Sequence, residues 1–186
     1  MNQQTLQTDR IRLIPLGDEH LNHEIELDSD PEVMQYLGGR ARTPEEVAGL
    51  HRTRMAAAEQ VPGLGFWVGF VDGVFVGWWI LKPPVRSDQG PVEGQAELGY
   101  RLLRRYWRKG LASEGSKELL RHGFEDMGLS RVFAETMVTN TGSRATMAAI
   151  NMELIRTFDV KVDGSESDNE QAEVEYAISL DQWLSR

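Results

Sequence analysis

The chain carries 186 residues, 40% of them apolar, with a formal net charge of −9 and no cysteine. Its length suits one domain over residues 1–186, able to bury roughly 70% of its unfolded surface. The acidic balance argues against a general nucleic-acid or anionic-membrane binder, which presents a basic face, and the missing cysteine excludes disulfides, thiolate metal sites and a cysteine nucleophile.

The stretch Met1–Thr5 leads into no signal-type apolar run. Residues Leu6 to Leu16 alternate, with Ile11 and Leu13 against Arg10 and Arg12, and predict one opening strand. Leu21, Ile25 and Leu27 follow at roughly helical spacing. Asp30-Pro31-Glu32 starts a short helix that stops at Gly38-Gly39. Thr43-Pro44-Glu45-Glu46 is a capping box opening a helix to about Glu59, with Arg40, Arg42, His51, Arg52 and Arg54 on its polar face.

Two apolar runs, Phe66–Val71 and Val74–Leu81, flank Asp72-Gly73, the strongest short-range hairpin signal. That turn also breaks the most apolar stretch of the chain, leaving each run too short to span a bilayer. A soluble, cytoplasmic protein is expected. After a Pro/Gly loop, Glu97–Leu103 reads as a strand, and Trp107–Ala112 as a basic, glycine-bearing turn opening a helix that stops at Gly128. Arg131–Val138 is a strand and Ser143–Ile150 a short helix, with Asn151 suited to its left-handed C-terminal position. Leu154–Val162 and Ala172–Leu180 form a final strand pair around an acidic loop, Asp163–Glu170, expected to be mobile. The order is α/β (α+β): a mixed, mostly antiparallel central sheet with helices on both faces.

The turn is the chemical feature. A helix beginning near Leu111 leaves its first N–H groups unpaired, and Gly110 lets an anion reach the backbone. Arg104, Arg105, Arg108 and Lys109 add positive charge, although a basic run is also what a solvated edge looks like. The turn is neither a nucleoside-triphosphate loop nor a dinucleotide fingerprint.

The run Glu97-Leu98-Gly99-Tyr100 … Tyr106-Trp107-Arg108-Lys109-Gly110-Leu111-Ala112-Ser113-Glu114 resembles the acetyl-CoA-binding motif of the GCN5-related N-acetyltransferases (GNAT). It is most similar to the branch containing the ribosomal-protein alanine N-acetyltransferases. The opening Thr8-Asp9-Arg10-Ile11-Arg12-Leu13, Asn140-x-x-Ser143 and Glu173-Val174-Glu175-Tyr176 match that branch in order. Arg108 stands where the branch has glycine, and Asn151-Met152 where it has Gly-Phe.

The resemblance implies that the main chain at Leu102 and Leu103 pairs with pantetheine like an added strand. It implies that Trp107, Arg108, Lys109, Gly110, Leu111 and Ala112 form the pyrophosphate turn, with the N–H groups from Arg108 to Ala112 holding the anion. Asn140 would bond pantetheine and Ser143 would face the thioester sulfur. The reaction is direct attack of an amine on the thioester, which needs a base, an oxyanion stabiliser and a hydrogen bond or proton for the leaving thiolate. Glu97, at a strand start beside the cleft, is the first candidate base and Glu135 the second; either could instead be an ordinary carboxylate at a strand. Ser143 is the candidate acid, though serine there is also a common helix cap, with Tyr100 and Tyr106 behind it.

The expected activity is acetyl-CoA-dependent N-acetyl transfer to a primary amine, either a protein N-terminus or a small cationic amine. No metal is expected, since the four histidines are scattered. A longer acyl-CoA donor and a non-catalytic CoA-binding sensor are the alternatives. A homodimer is expected only from the family.

Overall fold

In the computed structural model, which describes residues 3–160 and 171–185, Leu6–Leu16 does not run as one strand. It splits into β1 (Leu6–Gln7) and β2 (Arg12–Pro15), paired antiparallel. Thr8 makes the break: its hydroxyl accepts from the Ile11 N–H at 2.8 Å, and its own N–H donates to the Ile11 carbonyl at 2.9 Å. A threonine side chain bonded to nearby backbone competes with the ladder and favours a turn.

Helices α1 (Leu21–Asp28), α2 (Pro31–Met34) and α3 (Pro44–Gln60) follow. Asp30 caps α2 through the Glu32 N–H, and the Thr43/Glu46 capping box is formed in both directions. Strands β3 (Gly65–Val71) and β4 (Val74–Lys82) meet at Asp72 and Gly73, whose φ angles of 50° and 77° are both positive, the primed turn that matches strand twist. Then come β5 (Gln95–Leu102), α4 (Leu111–Arg121), β6 (Arg131–Met137), α5 (Thr141–Ala149), β7 (Glu153–Val160), β8 (Gln171–Ser179) and α6 (Leu180–Leu184). Helix α4 widens over His122–Asp126 before Gly128, at φ 68°, ends it. Asn151 takes φ 63°, and the Met152 N–H returns to the Met147 carbonyl at 3.1 Å, closing α5 in the expected left-handed manner. The acidic loop Asp163–Glu170 lies outside the described residues.

Among the described residues the strands make one sheet in the order β1-β2-β3-β4-β5-β6-β8-β7, antiparallel except between β5 and β6. Two cores result from strand alternation. Trp67, Trp79, Leu81, Leu98 and Val132 pack on one face with Leu119 and Leu120 of α4. Phe66, Val68, Trp78 and Ile80 pack on the other with Leu27 and Val33 from α1 and α2.

The polar side of α3 is not wholly solvated, as its composition suggests. His51 and Arg54 are buried against Glu24 and Asp28 of α1, with Arg101 of β5 also on Asp28. Burial alone would raise the Asp28 carboxyl, but the Arg101 and Arg54 charges hold it below its usual range. A buried charge survives only when its lone pairs are met in this way. The network ties α1 and α3 to the strand that carries the site. No helix among the described residues is long and apolar enough to cross a membrane.

Candidate active site

Strands β5 and β6 are parallel neighbours for only three residue pairs, Gln95–Arg131, Ala96–Val132 and Glu97–Phe133. Beyond them β5 stays with β4 to Leu102 while β6 stays with β8 to Met137. The sheet therefore opens as a fork just past Glu97, exposing strand edge on both sides.

Main-chain direction along the fork follows from the ladder. The Leu103 N–H donates to the Val76 carbonyl at 2.9 Å, toward β4. Alternation in an antiparallel pair then turns Tyr100 and Leu102 toward the fork. Trp107 agrees with this, since its indole N–H donates to the Leu102 carbonyl at 2.8 Å. Of the two residues expected to pair with pantetheine, Leu102 thus faces the fork. Leu103 does not, because its N–H is engaged by β4; Tyr100 is the other residue whose main chain the alternation turns to the fork.

The two faces of the fork differ in chemistry. On the α1 side strand alternation puts Glu97, Glu135 and Glu173 on one face of the sheet, with Glu97 opposite Phe133, Glu135 opposite Glu175 and Glu173 opposite Met137. Lys82 Nζ lies 3.1 Å from Glu97 Oε2, at ion-pair distance but off a hydrogen-bond direction. Glu135 accepts from Arg86 at 2.9 Å and Gln89 at 3.0 Å. Burial, and then the neighbouring Glu97 charge, push its carboxyl up in spite of those donors. Glu173 is pushed up by burial and by the Glu135 charge.

A carboxyl whose folded value is raised costs stability when ionised, and that cost disappears below its unfolded value of about 4.5. Glu173→Gln is therefore expected to raise the melting temperature at pH 7. The gain should shrink to nothing as thermal scans are taken from pH 7 down to pH 4.

On the α4 side stand Tyr100 and α5. The Tyr100 hydroxyl lies 3.0 Å from both Ser143 Oγ and the Ser143 carbonyl. Burial pushes the Tyr100 phenol up to about 12, against the bond from Ser143. Ser143 is not the helix cap: Asn140 is, its Oδ1 accepting from the Ser143 N–H at 3.1 Å while its Nδ2 donates to Thr136 at 3.1 Å. The Ser143 hydroxyl is left to Tyr100 and the fork.

The basic turn lies at the far end of the β5 arm. Gly110 is the N-cap of α4 at φ 78°, and Arg108 takes φ 58°, a left-handed conformation natural to the glycine it replaces. With no side-chain cap, the first α4 N–H groups, including Leu111 and Ala112, have no acceptor within the helix. Successive main-chain N–H groups in this geometry make an anion cradle. The basic residues are not all there: Arg104 pairs with Glu32 and Arg105 with Glu26, on the α1–α2 side. Lys109 Nζ sits 5.1 Å from the centre of the Tyr106 ring.

Thr8, Arg10 and Glu114 enter the sequence pattern only as members of matched runs, and the structure brings them together. Arg10 bonds both Glu114 and the Lys109 carbonyl, joining the opening turn to the cradle. The signal for it was the Thr8-x-Arg10 match at the start of the chain, which had no assigned role. A separate cleft of about 410 Å³, lined by Arg10, Arg12, Phe70 and Asp72 among others, opens at the β2 end of the sheet, away from the fork.

An open strand edge leading to an unpaired helix N-terminus fits an extended thioester arm ending in a diphosphate. Comparisons with known proteins agree. The model of the acetyltransferase (GNAT) domain matches residues 10–153. The chain is 42% identical over 186 residues to the FsC-acetyl coenzyme A-N(2)-transacetylase of Aspergillus fumigatus, covering 98% of this chain and 79% of that one. Among solved structures, a GNAT-family acetyltransferase from Bacillus anthracis superposes with a TM-score of 0.80 at 23% identity, covering 96% of this chain and 99% of that one. RimL, a ribosomal L7/L12 alpha-N-protein acetyltransferase in complex with coenzyme A, gives 0.77 at 15% identity, with 96% and 99% covered. The fork, the cradle and these likenesses converge: the chain belongs to the GNAT family and is an N-acetyltransferase that draws its acetyl group from acetyl-CoA.

Proposed function

We propose that residues 1–186 work as one domain that moves the acetyl group to a primary amine by direct attack, with no covalent enzyme intermediate. The observation that carries this is the fork itself, with carboxylates on one face and a Tyr100–Ser143 hydroxyl pair on the other. A thioester laid along β5 between them would have a base on one side and a hydrogen-bond donor on the other.

In this reading the main chain of Tyr100 and Leu102 holds pantetheine. The N–H groups from Arg108 to Ala112 hold the diphosphate, with Trp107 packed beside Leu102, and Asn140 orients α5 at the pantetheine end. Glu97 takes the ammonium proton through a water. Ser143 donates to the departing sulfur. Tyr100, with a phenol near 12, stays protonated against a thiol of ordinary acidity near 8.5, so it bonds Ser143 rather than surrendering its proton.

For the acceptor, three carboxylates at the fork suit a cationic amine. The relative named for N(2) transacetylation covers almost the whole chain at 42% identity, whereas the likeness to RimL, at 15%, speaks for the fold alone. We therefore favour a small-molecule amine over a protein N-terminus. Ser143→Ala is expected to lower kcat by about tenfold, the worth of one hydrogen bond to a charged group, while the KM for acetyl-CoA stays nearly constant. Steady-state thiol release checks this, and unchanged turnover would remove Ser143 as the sulfur partner.

A further inference from the structure

Arg10 lies in the turn between β1 and β2, 104 residues before its partner Glu114. Its guanidinium donates through Nε to Glu114 Oε2 at 2.6 Å, with NH2 at 2.5 Å from the same oxygen, and through NH1 to the Lys109 carbonyl at 3.0 Å. The Arg10 main-chain N–H and the Thr8 hydroxyl bond the other Glu114 oxygen, at 2.9 Å and 2.5 Å. Burial would raise the Glu114 carboxyl, but these donors hold it low. Glu114 is in the first turn of α4, where its charge suits the helix end but opposes a second anion at the same place.

The Lys109 carbonyl shares a planar trans peptide with the Gly110 N–H, and the two point in opposite directions. Whatever fixes the carbonyl fixes the N–H. The flanking residues make such a device necessary, since Arg108 and Gly110 both sit at positive φ, 58° and 78°, and a peptide next to glycine reorients easily. We infer that Arg10 is a positioning residue for the donor substrate: it neutralises Glu114 and locks the Lys109–Gly110 peptide so that the Gly110 N–H faces the diphosphate of acetyl-CoA. The inference rests on the reading that the Arg108–Ala112 turn holds that diphosphate.

Two donors separate this role from a general structural one. S-acetylpantetheine carries the thioester arm without the diphosphate. Arg10→Ala is expected to raise the KM for acetyl-CoA by about tenfold, with kcat near wild type and the KM for S-acetylpantetheine unchanged. Arg10→Lys keeps a charge for Glu114 but a single ammonium cannot also hold Lys109, so it should show a smaller rise confined to acetyl-CoA. It carries the same comparison should Arg10→Ala fold poorly. Equal losses with both donors, or no rise with acetyl-CoA, would overturn the role of Arg10. Undiminished CoA binding by Gly110→Asp would instead overturn the turn assignment beneath it.

Discussion

Replacing Gly110 by aspartate is expected to abolish measurable binding of coenzyme A while leaving the fold intact. Gly110 caps α4 at φ 78° with no side chain in the cradle. Space is not the issue, since a Cβ there would meet only Arg10, at 3.4 Å. The left-handed conformation costs a non-glycine residue about 1 kcal/mol, and aspartate tolerates it better than most. The binding effect is far larger, because a fixed carboxylate about 4 Å from a phosphate charge repels it by about 4 kcal/mol near a protein surface. That corresponds to a loss of about a thousandfold in affinity. Calorimetric titration with coenzyme A, alongside the melting temperature of the free protein, measures both parts. Retained affinity would remove the turn as the diphosphate site.

Glu97→Gln is expected to lower kcat by about a hundredfold or more, the usual range for losing a general base. The substitution is isosteric and leaves the KM for acetyl-CoA nearly unchanged, because Glu97 sits at the vertex of the fork and not on the cradle. Lys82 loses an ion pair between side chains that are 26% and 20% exposed, a small structural cost for a partly solvated pair. Glu135 and Glu173 supply the comparison. Both are pushed up by burial first and by neighbouring carboxylates second, and so hold protons more readily than ordinary glutamates. Glu135 is already engaged by Arg86 and Gln89, which is why Glu97 is the stronger candidate. Turnover that survives in Glu97→Gln but collapses in Glu135→Gln would move the role one strand over.

Features written in adjacent residues were legible from the sequence. The Asp72-Gly73 turn, the Thr43/Glu46 box and the Asn151 helix end each depend on a few local torsions and bonds, and each formed as expected. The basic turn was legible for the same reason. What local pattern could not show was which polar groups would meet across the chain. Arg54 and His51 read only as members of a polar face because their partners, Glu24 and Asp28, lie on another helix. Arg10 and Glu114 belong to distant segments, as do Tyr100 and Ser143. That Leu103 turns its N–H to β4 while Leu102 faces the fork follows only from the observed register, which decides which carbonyls and N–H groups a strand turns outward. The opening strand failed at Thr8, where a side-chain bond overrode an alternating pattern.

Thiol release from acetyl-CoA, followed across a panel of small cationic amines and unmodified peptide N-termini, tests the central claim most directly. Amine-dependent release with a small cationic acceptor, weak or absent with the peptides, is the predicted result. Release that stays at background for every amine, while coenzyme A still raises the melting temperature, would contradict it and leave a CoA-binding protein without transferase activity.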